Sequence, residues 1–182
     1  PRSLSPPPPP LLPPPPPLSL LPLLGVLEGN KHIRKMNLCS AAMWDGRLRG
    51  AGNGNSNARV LSDILSANKS IKEVNLSDTG LDDDGMTEIC RALDSNDSVT
   101  KLDISRNIFT ENGAKMLTEA LARNTKLKEL DLSRNALGFQ AISSLQCACA
   151  TSGLLINTSG NYVFEEIMNA VSHGVGFIGA VI

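Results

Sequence analysis

The chain is poor in the residue types on which most metal, disulfide and stacking chemistry depends. Its 182 residues include one tryptophan, one tyrosine, four phenylalanines and two histidines. The four cysteines are too few and too unevenly spaced for a disulfide scaffold, and with two histidines they form no zinc-ligand spacing; they are Cys39, Cys90, Cys147 and Cys149. We therefore predict a cytoplasmic protein from a reducing compartment, with no metal and no cofactor.

An excess of charge of either sign is also missing. Lysine and arginine number 17 against 18 aspartates and glutamates, for a net charge of −1. Proteins that bind nucleic acid or anionic membrane surfaces need a surplus of basic residues, so we predict no nucleic-acid partner. The sequence contains no nucleophile–base or metal constellation, so we predict that the chain is not an enzyme.

Proline is confined to one end of the chain. All 12 prolines lie between Pro1 and Pro22, in a segment dominated by the run SPPPPPLLPPPPPL. Consecutive prolines favour polyproline II and remove backbone donors, which predicts a disordered proline-rich tail over residues 1–22. The chain starts at Pro1 and stops at Ile182 inside an apolar run, so we expect a fragment of a longer protein.

The remainder of the chain contains an internal repeat of 28 residues. Three tandem units begin at Ser70, Ser98 and Lys126, and each opens with apolar residues spaced L-x-x-L-x-L. Apolar pairs four residues apart follow, as expected for one face of a helix. A repeated strand, turn and helix predicts an α/β solenoid with a curved parallel sheet over residues 23–161.

The repeat pattern extends in both directions from these three units. Ile33, Met36 and Leu38 match the apolar triplet and precede a Gly/Asn-rich segment, which we interpret as an insertion loop over residues 46–57. Leu23 and Leu27 match the end of an earlier repeat helix. The sequence INTSGN at 156–161 matches LDLSRN and predicts one further, degenerate strand.

The motif L-x-x-L-x-L-x-x-N with a 28-residue period resembles the ribonuclease-inhibitor-like leucine-rich repeats. Such repeats occur in cytosolic innate-immune receptors and in tropomodulin-like actin regulators. The resemblance implies that Asn107 and Asn135 occupy the family's ladder position, whereas Ala41 and Thr79 depart from it. It implies an architecture used for many unrelated protein interactions.

Stacked strands would place the residues between the leucines on one concave surface, where we predict a protein-binding face. Its two main rows comprise Lys35, Glu73, Lys101 and Glu129, then Asn37, Asn75, Asp103 and Asp131. Alternating charges in the first row favour pairing between neighbouring strands. The rows contain no arginine or large aromatic anchor, so a solvated face, or part of a longer binding surface, is the alternative.

The last residues, 162–182, depart from the repeat. Glu166, Asn169 and His173 form E-x-x-N-x-x-x-H before a small-residue apolar run, which resembles the start of the haemolysin III and progestin/adipoQ receptor family. That resemblance implies a truncated seven-helix membrane domain, whose zinc-binding histidines lie in later motifs that this chain does not contain. The alternative is an amphipathic C-terminal helix on the last repeat.

Two functions therefore remain open at the level of sequence. The first is a leucine-rich-repeat scaffold that binds a protein partner on its concave face. The second is the N-terminal part of a haemolysin III-like integral membrane protein, with the repeats on the cytoplasmic side and the C-terminus associated with the membrane.

Overall fold

The computed structural model describes residues 20–41 and 54–161, which form alternating helices and short parallel strands. The helices are α1 (Leu21–Glu28), α2 (Gly54–Ala67), α3 (Asp83–Ser95), α4 (Glu111–Arg123) and α5 (Phe139–Ser152). The strands are β1 (Lys35–Asn37), β2 (Glu73–Asn75), β3 (Lys101–Asp103), β4 (Glu129–Asp131) and β5 (Leu155–Asn157).

The five strands form one parallel sheet in sequential order, β1-β2-β3-β4-β5. Equivalent residues of the repeats pair in register, so that Met36, Val74, Leu102, Leu130 and Ile156 follow one line across the sheet. Each helix packs against the helix of the next repeat. The predicted α/β repeat solenoid, with its further strand at residues 155–157, is confirmed.

The core lies between the sheet and the layer of helices. The central strand residues Leu102 and Leu130 are each 2% exposed, as their place in the apolar triplet predicts. Helix residues such as Leu117 and Leu121 close the core from the other side. Because one face of the strands is buried in this way, the residues on either side of each central leucine point away from the helices.

The helices extend further than the sequence pattern indicates at two places. Helix α1 begins at Leu21, inside the predicted tail, because Pro22 stands in its first turn, where the missing N–H costs no hydrogen bond. Helix α2 begins at Gly54, inside the segment interpreted as an insertion loop. The greater part of the proline-rich tail, the start of that loop and residues 162–182 lie outside the described residues.

Within residues 20–41 and 54–161, no helix combines the length and the apolar character that a bilayer-spanning segment needs.

Candidate protein-binding face

The side of the sheet away from the helices, here called the open face, carries all eight predicted concave-face residues. In strands β1 to β4 they flank the central residue, so each strand contributes one residue to each row. The pairing register aligns Lys35 with Glu73, Glu73 with Lys101, and Lys101 with Glu129. The structure therefore brings together the two rows that the sequence predicts, while Glu166, Asn169 and His173 lie outside the described residues.

The first row consists of two ion pairs between neighbouring strands. Lys35 Nζ lies 2.8 Å from Glu73 Oε2, and Lys101 Nζ lies 2.6 Å from Glu129 Oε2. The hydrogen bond to Glu129, and then its charge, raise the pKa of Lys101 above its usual value. Because the charges neutralise one another in pairs, this row presents little net charge to a partner.

The second row supports the turns that follow the strands. In each repeat the side-chain Oδ1 accepts a hydrogen bond from the backbone N–H two residues further along, as Asp103 does from Ser105 at 3.0 Å. The same bond is made by Asn37, Asn75, Asp131 and Asn157. This is the local turn that aspartate and asparagine side chains favour. These residues thus have a structural role in addition to any role in binding.

An apolar residue that the sequence analysis missed completes the open face. Leu155 is 71% exposed and takes the place that lysine or glutamate holds in the other strands. It borders a shallow depression of about 260 Å³ across β3 to β5, whose other lining residues include Lys101, Asp103, Glu129 and Asp131. The sequence could have indicated this position, because extending the repeat alignment one residue before INTSGN pairs Leu155 with Glu129.

The turns at the carboxyl ends of the strands are held by a ladder of buried asparagines. Asn107, Asn135 and Asn161 each donate from the side-chain amide to carbonyls of their own turn or the preceding repeat. This confirms the predicted ladder position of Asn107 and Asn135. Thr79 replaces asparagine there, and its hydroxyl donates to Leu76 O at 2.8 Å. A threonine therefore satisfies the carbonyl that the asparagine amide satisfies in the three following repeats.

A second asparagine ladder, which sequence reasoning missed, runs along the ends of the helices. The side-chain amides of Asn68, Asn96 and Asn124 donate to carbonyls at the end of the preceding repeat's helix. Their Oδ1 atoms accept backbone N–H groups that lead into the next strand. The sequence signal for this ladder was the recurrence of asparagine every 28 residues.

Two asparagines of this ladder, Asn68 and Asn96, also begin glycosylation sequons. Because they are 1% and 4% exposed, they are closed to modification in the folded chain.

The acidic run at residues 82–84 organises two helices. Asp82 caps α3, where its Oδ1 accepts the Gly85 N–H at 2.9 Å. Asp83 reaches the start of α4 and accepts from the Thr110 N–H at 2.7 Å and the Gly113 N–H at 3.1 Å. The run thus supplies the N-cap of α3, and Asp83 adds a contact to the helix of the neighbouring repeat.

The cysteines divide into exposed and buried thiols. Cys39 and Cys147 are exposed, whereas Cys90 and Cys149 are buried, and all four are free thiols. Burial raises the pKa of Cys90 to about 12, with the nearby Asp94 adding to the effect, and burial also raises the pKa of Cys149. A buried thiol of high pKa is a poor nucleophile.

Among the described residues, no cluster of histidine, cysteine, aspartate and glutamate has a metal-binding arrangement.

The architecture and the two asparagine ladders define a solenoid of strand–turn–helix repeats, a class whose members present an extended sheet surface. Residues 67–90 and 123–145 match the family model "Leucine Rich repeat". The first segment runs from the end of α2 through β2 into α3, and the second runs from the end of α4 through β4 into α5. The fold is therefore a leucine-rich-repeat solenoid.

Solved structures of other proteins share this fold. One is described as actin-binding site 2 of leiomodin-1, with a TM-score of 0.66 and 18% identity over 86% of this chain and 87% of that one. Another is the tropomodulin C-terminal domain of Caenorhabditis elegans, with a TM-score of 0.62 and 15% identity over 85% and 90%. No curated protein matches the chain by sequence. Identities this low establish a common fold and no more.

Proposed function

We propose that the repeat domain is a protein-interaction scaffold, which holds a protein partner on its open face and carries out no chemistry. The observation that supports this most directly is the alignment of exposed side chains from all five strands in one register. A continuous surface of this kind suits a protein partner better than a small molecule, because its depression is shallow and open. The reducing compartment indicated by the free cysteines supports a cytoplasmic location.

The depression beside Leu155 is the part of the open face best suited to contribute binding energy. The lysines and glutamates of the first row already pair with one another, so a partner gains little by replacing water around them. Burial of an exposed leucine is favourable without any specific partner group. We therefore propose that a partner places apolar surface on Leu155 and polar groups along the Lys101 and Glu129 pair.

Actin is the first partner to test. The leiomodin-1 structure that shares this fold is described as an actin-binding site, and it covers most of both chains. The proposal is examined by measuring binding of purified actin to the full 182-residue chain. Saturable binding supports actin as the partner, whereas its absence at high protein concentration contradicts that choice and leads to affinity enrichment from a cell lysate.

The binding face is tested with two charge-swapped variants that each preserve an ion pair. Lys101→Glu with Glu129→Lys reverses one of the two ion pairs of the open face, whereas Asp94→Arg with Arg123→Asp reverses an ion pair on the helices. We expect the first variant, and Leu155→Ser, to weaken binding of the partner, with the helix variant close to wild type. Equal losses in both swapped variants would contradict binding at the open face.

A second proposal rests on the sequence of the C-terminal segment alone. The motif formed by Glu166, Asn169 and His173 resembles the start of the first membrane helix in the haemolysin III-like family, which implies a repeat domain on the cytoplasmic side of a membrane. Carbonate extraction of membranes from cells that express the full-length tagged protein tests it. Recovery entirely in the soluble fraction would eliminate the membrane proposal and leave the segment as a helix on the last repeat.

A further inference from the structure

A second exposed patch lies at the carboxyl ends of the strands, outside the open face. After each strand one residue adopts the left-handed conformation, with φ between 55° and 70°, at Ser40, Asp78, Arg106, Arg134 and Gly160. This backbone region favours glycine, asparagine and aspartate. Two consecutive repeats nevertheless have arginine there, a choice that the turn geometry does not require.

The two arginines lie in neighbouring turns, and neither forms an ion pair with a described residue. The Arg106 N–H donates to Ser133 O at 2.9 Å, which stacks its turn directly on the turn that contains Arg134. Both side chains are exposed, and within residues 20–41 and 54–161 neither guanidinium makes a hydrogen bond or an ion pair. Arg91 and Arg123 on the helices, in contrast, both pair with carboxylates. Two like charges in adjacent turns therefore remain without an ion-pair partner in the described part of the chain.

The acidic group closest in the repeat pattern makes no ion pair with either arginine in the described part of the chain. Asp78 holds the equivalent position in the turn before Arg106, and its Oδ2 accepts a hydrogen bond from Ser40 Oγ at 2.9 Å. The turn after Arg134 has Gly160, which contributes no side chain. The third and fourth turns therefore present the two guanidinium groups side by side, with Asp78 as the one carboxylate at the equivalent position of the turn before them.

An exposed apolar side chain and a depression accompany the arginines. Ile108 is 56% exposed, because the equivalent residues of the adjacent repeats are the small Gly80 and Ala136. Beside it lies a depression of about 300 Å³ that is lined by Ile108, Arg134, Ala136 and Gly160, with Asn107, Asn135 and Asn161 forming the rest. A Cβ at Gly160 would lie 2.9 Å from Arg134 Cγ, so glycine leaves room for the arginine stem along the depression.

We propose that Arg106, Ile108, Arg134, Ala136 and Gly160, together named the arginine rim, bind an acidic segment of a protein partner. The planar guanidinium groups match carboxylates with two parallel hydrogen bonds each, and adjacent turns present two such groups side by side. An apolar side chain of the same segment covers Ile108 and enters the depression. This surface is additional to the proposed open-face site and does not depend on it.

The test uses the full chain and a short fluorescein-labelled peptide of alternating glutamate and leucine, with fluorescence anisotropy as the readout. Arg106→Asn with Arg134→Asn should weaken binding about tenfold or more, since it removes two charged hydrogen-bond donors. Asparagine tolerates the left-handed conformation, so the turns are retained. The matched control, Arg91→Asn with Arg123→Asn, removes the same charge from the helices and should bind like wild type.

Two further variants keep the test decisive. Ile108→Ser should weaken binding while leaving its salt dependence unchanged, because it removes apolar contact and no charge. Arg106→Lys with Arg134→Lys retains the charge but loses the paired donors, and an intermediate affinity supports the proposal even if the asparagine variant is unstable. Undetectable binding by the wild type, equal losses in the rim and helix variants, or equally tight binding of a single-stranded RNA would each overturn it.

Discussion

Asn107 and Asn135 form consecutive rungs of one buried ladder, because the backbone N–H of Asn107 donates to Oδ1 of Asn135 at 2.9 Å. The side chain of Asn107 in turn satisfies the preceding repeat. It accepts from the N–H groups of Thr79 and Leu81 and donates to the carbonyls of Leu76, Ile104 and Ser105. One amide therefore serves five backbone groups in two repeats.

Replacement of Asn107 with alanine should destabilise the chain severely. Each buried backbone group left without a partner costs about 1–3 kcal/mol, so the free energy of unfolding should fall by about 3 kcal/mol or more. Urea denaturation followed by far-ultraviolet circular dichroism measures this change. Asn112→Ala in the exposed face of α4 is the control and should remain within about 0.5 kcal/mol of wild type. A loss of less than about 1 kcal/mol in Asn107→Ala would show that water replaces the amide.

Leu102 tests the core in the same way. It is 2% exposed at the centre of β3, so Leu102→Ala should lower the free energy of unfolding by about 2–5 kcal/mol through lost burial and a residual cavity. Leu155→Ala removes the same atoms from a side chain that is 71% exposed and should have little effect. Similar losses in the two variants would contradict the assignment of Leu102 to the core.

The fold was predictable because the same burial recurs at the same positions of each repeat. Leu102 and Leu130 occupy equivalent positions one repeat apart and are each 2% exposed, so a periodic sequence indicates a periodic core. The exact ends of α1 and α2 were less predictable. Considered without their neighbours, Pro22 and Gly54 predict an interruption of helical structure, yet the first turn of a helix tolerates both residues.

The proposed binding surfaces were predictable only where side-chain direction follows from strand alternation. Lys101 and Glu129 could be placed on one face because every second residue of a strand points the same way. The arginine rim could not, since it depends on backbone conformation in the turns and on the small size of Gly160 and Ala136. The contact from Asp83 to α4 likewise crosses between repeats, and no local sequence rule describes it.

The approach of α3 to α4 leads to a prediction about two helical glycines. A Cβ at Gly113 would lie 2.7 Å from Asp83 Oδ1 and 3.1 Å from Met86 Cγ, whereas a Cβ at Gly25 in α1 meets nothing within 4 Å. Alanine is favoured over glycine in a helix by about 1 kcal/mol, so Gly25→Ala should stabilise the chain. Gly113→Ala should destabilise it by about 1–3 kcal/mol, because the carboxylate that caps α4 must move.

Thermal unfolding of both alanine variants checks this prediction. Since the two substitutions are chemically identical, the difference between them reports the space around each glycine. A higher melting temperature for Gly113→Ala than for wild type would show that Asp83 can shift without losing its bonds to Thr110 and Gly113.

The buried thiol of Cys90 should make stability depend on pH in alkaline solution. Its pKa rises from 9.0 to about 12 in the folded chain, chiefly through burial. Between these values the unfolded chain loses the thiol proton while the folded chain keeps it, so the unfolded state binds fewer protons. The free energy of unfolding is therefore unaffected by this group below pH 9.0 and falls as pH rises above it.

Urea denaturation at about pH 8 and about pH 10.5 measures the effect, whose slope is at most about 1.4 kcal/mol per pH unit for one group. Other groups titrate in the same range, so the informative quantity is the difference between wild type and Cys90→Ala, which lacks the thiol. Wild type should lose more stability than Cys90→Ala over this interval. Cys147→Ala, which removes an exposed thiol, should retain the wild-type dependence. Identical pH dependence in wild type and Cys90→Ala would mean that the Cys90 thiol reaches solvent in the folded chain, and rapid reaction with a thiol reagent under native conditions would then be expected as well.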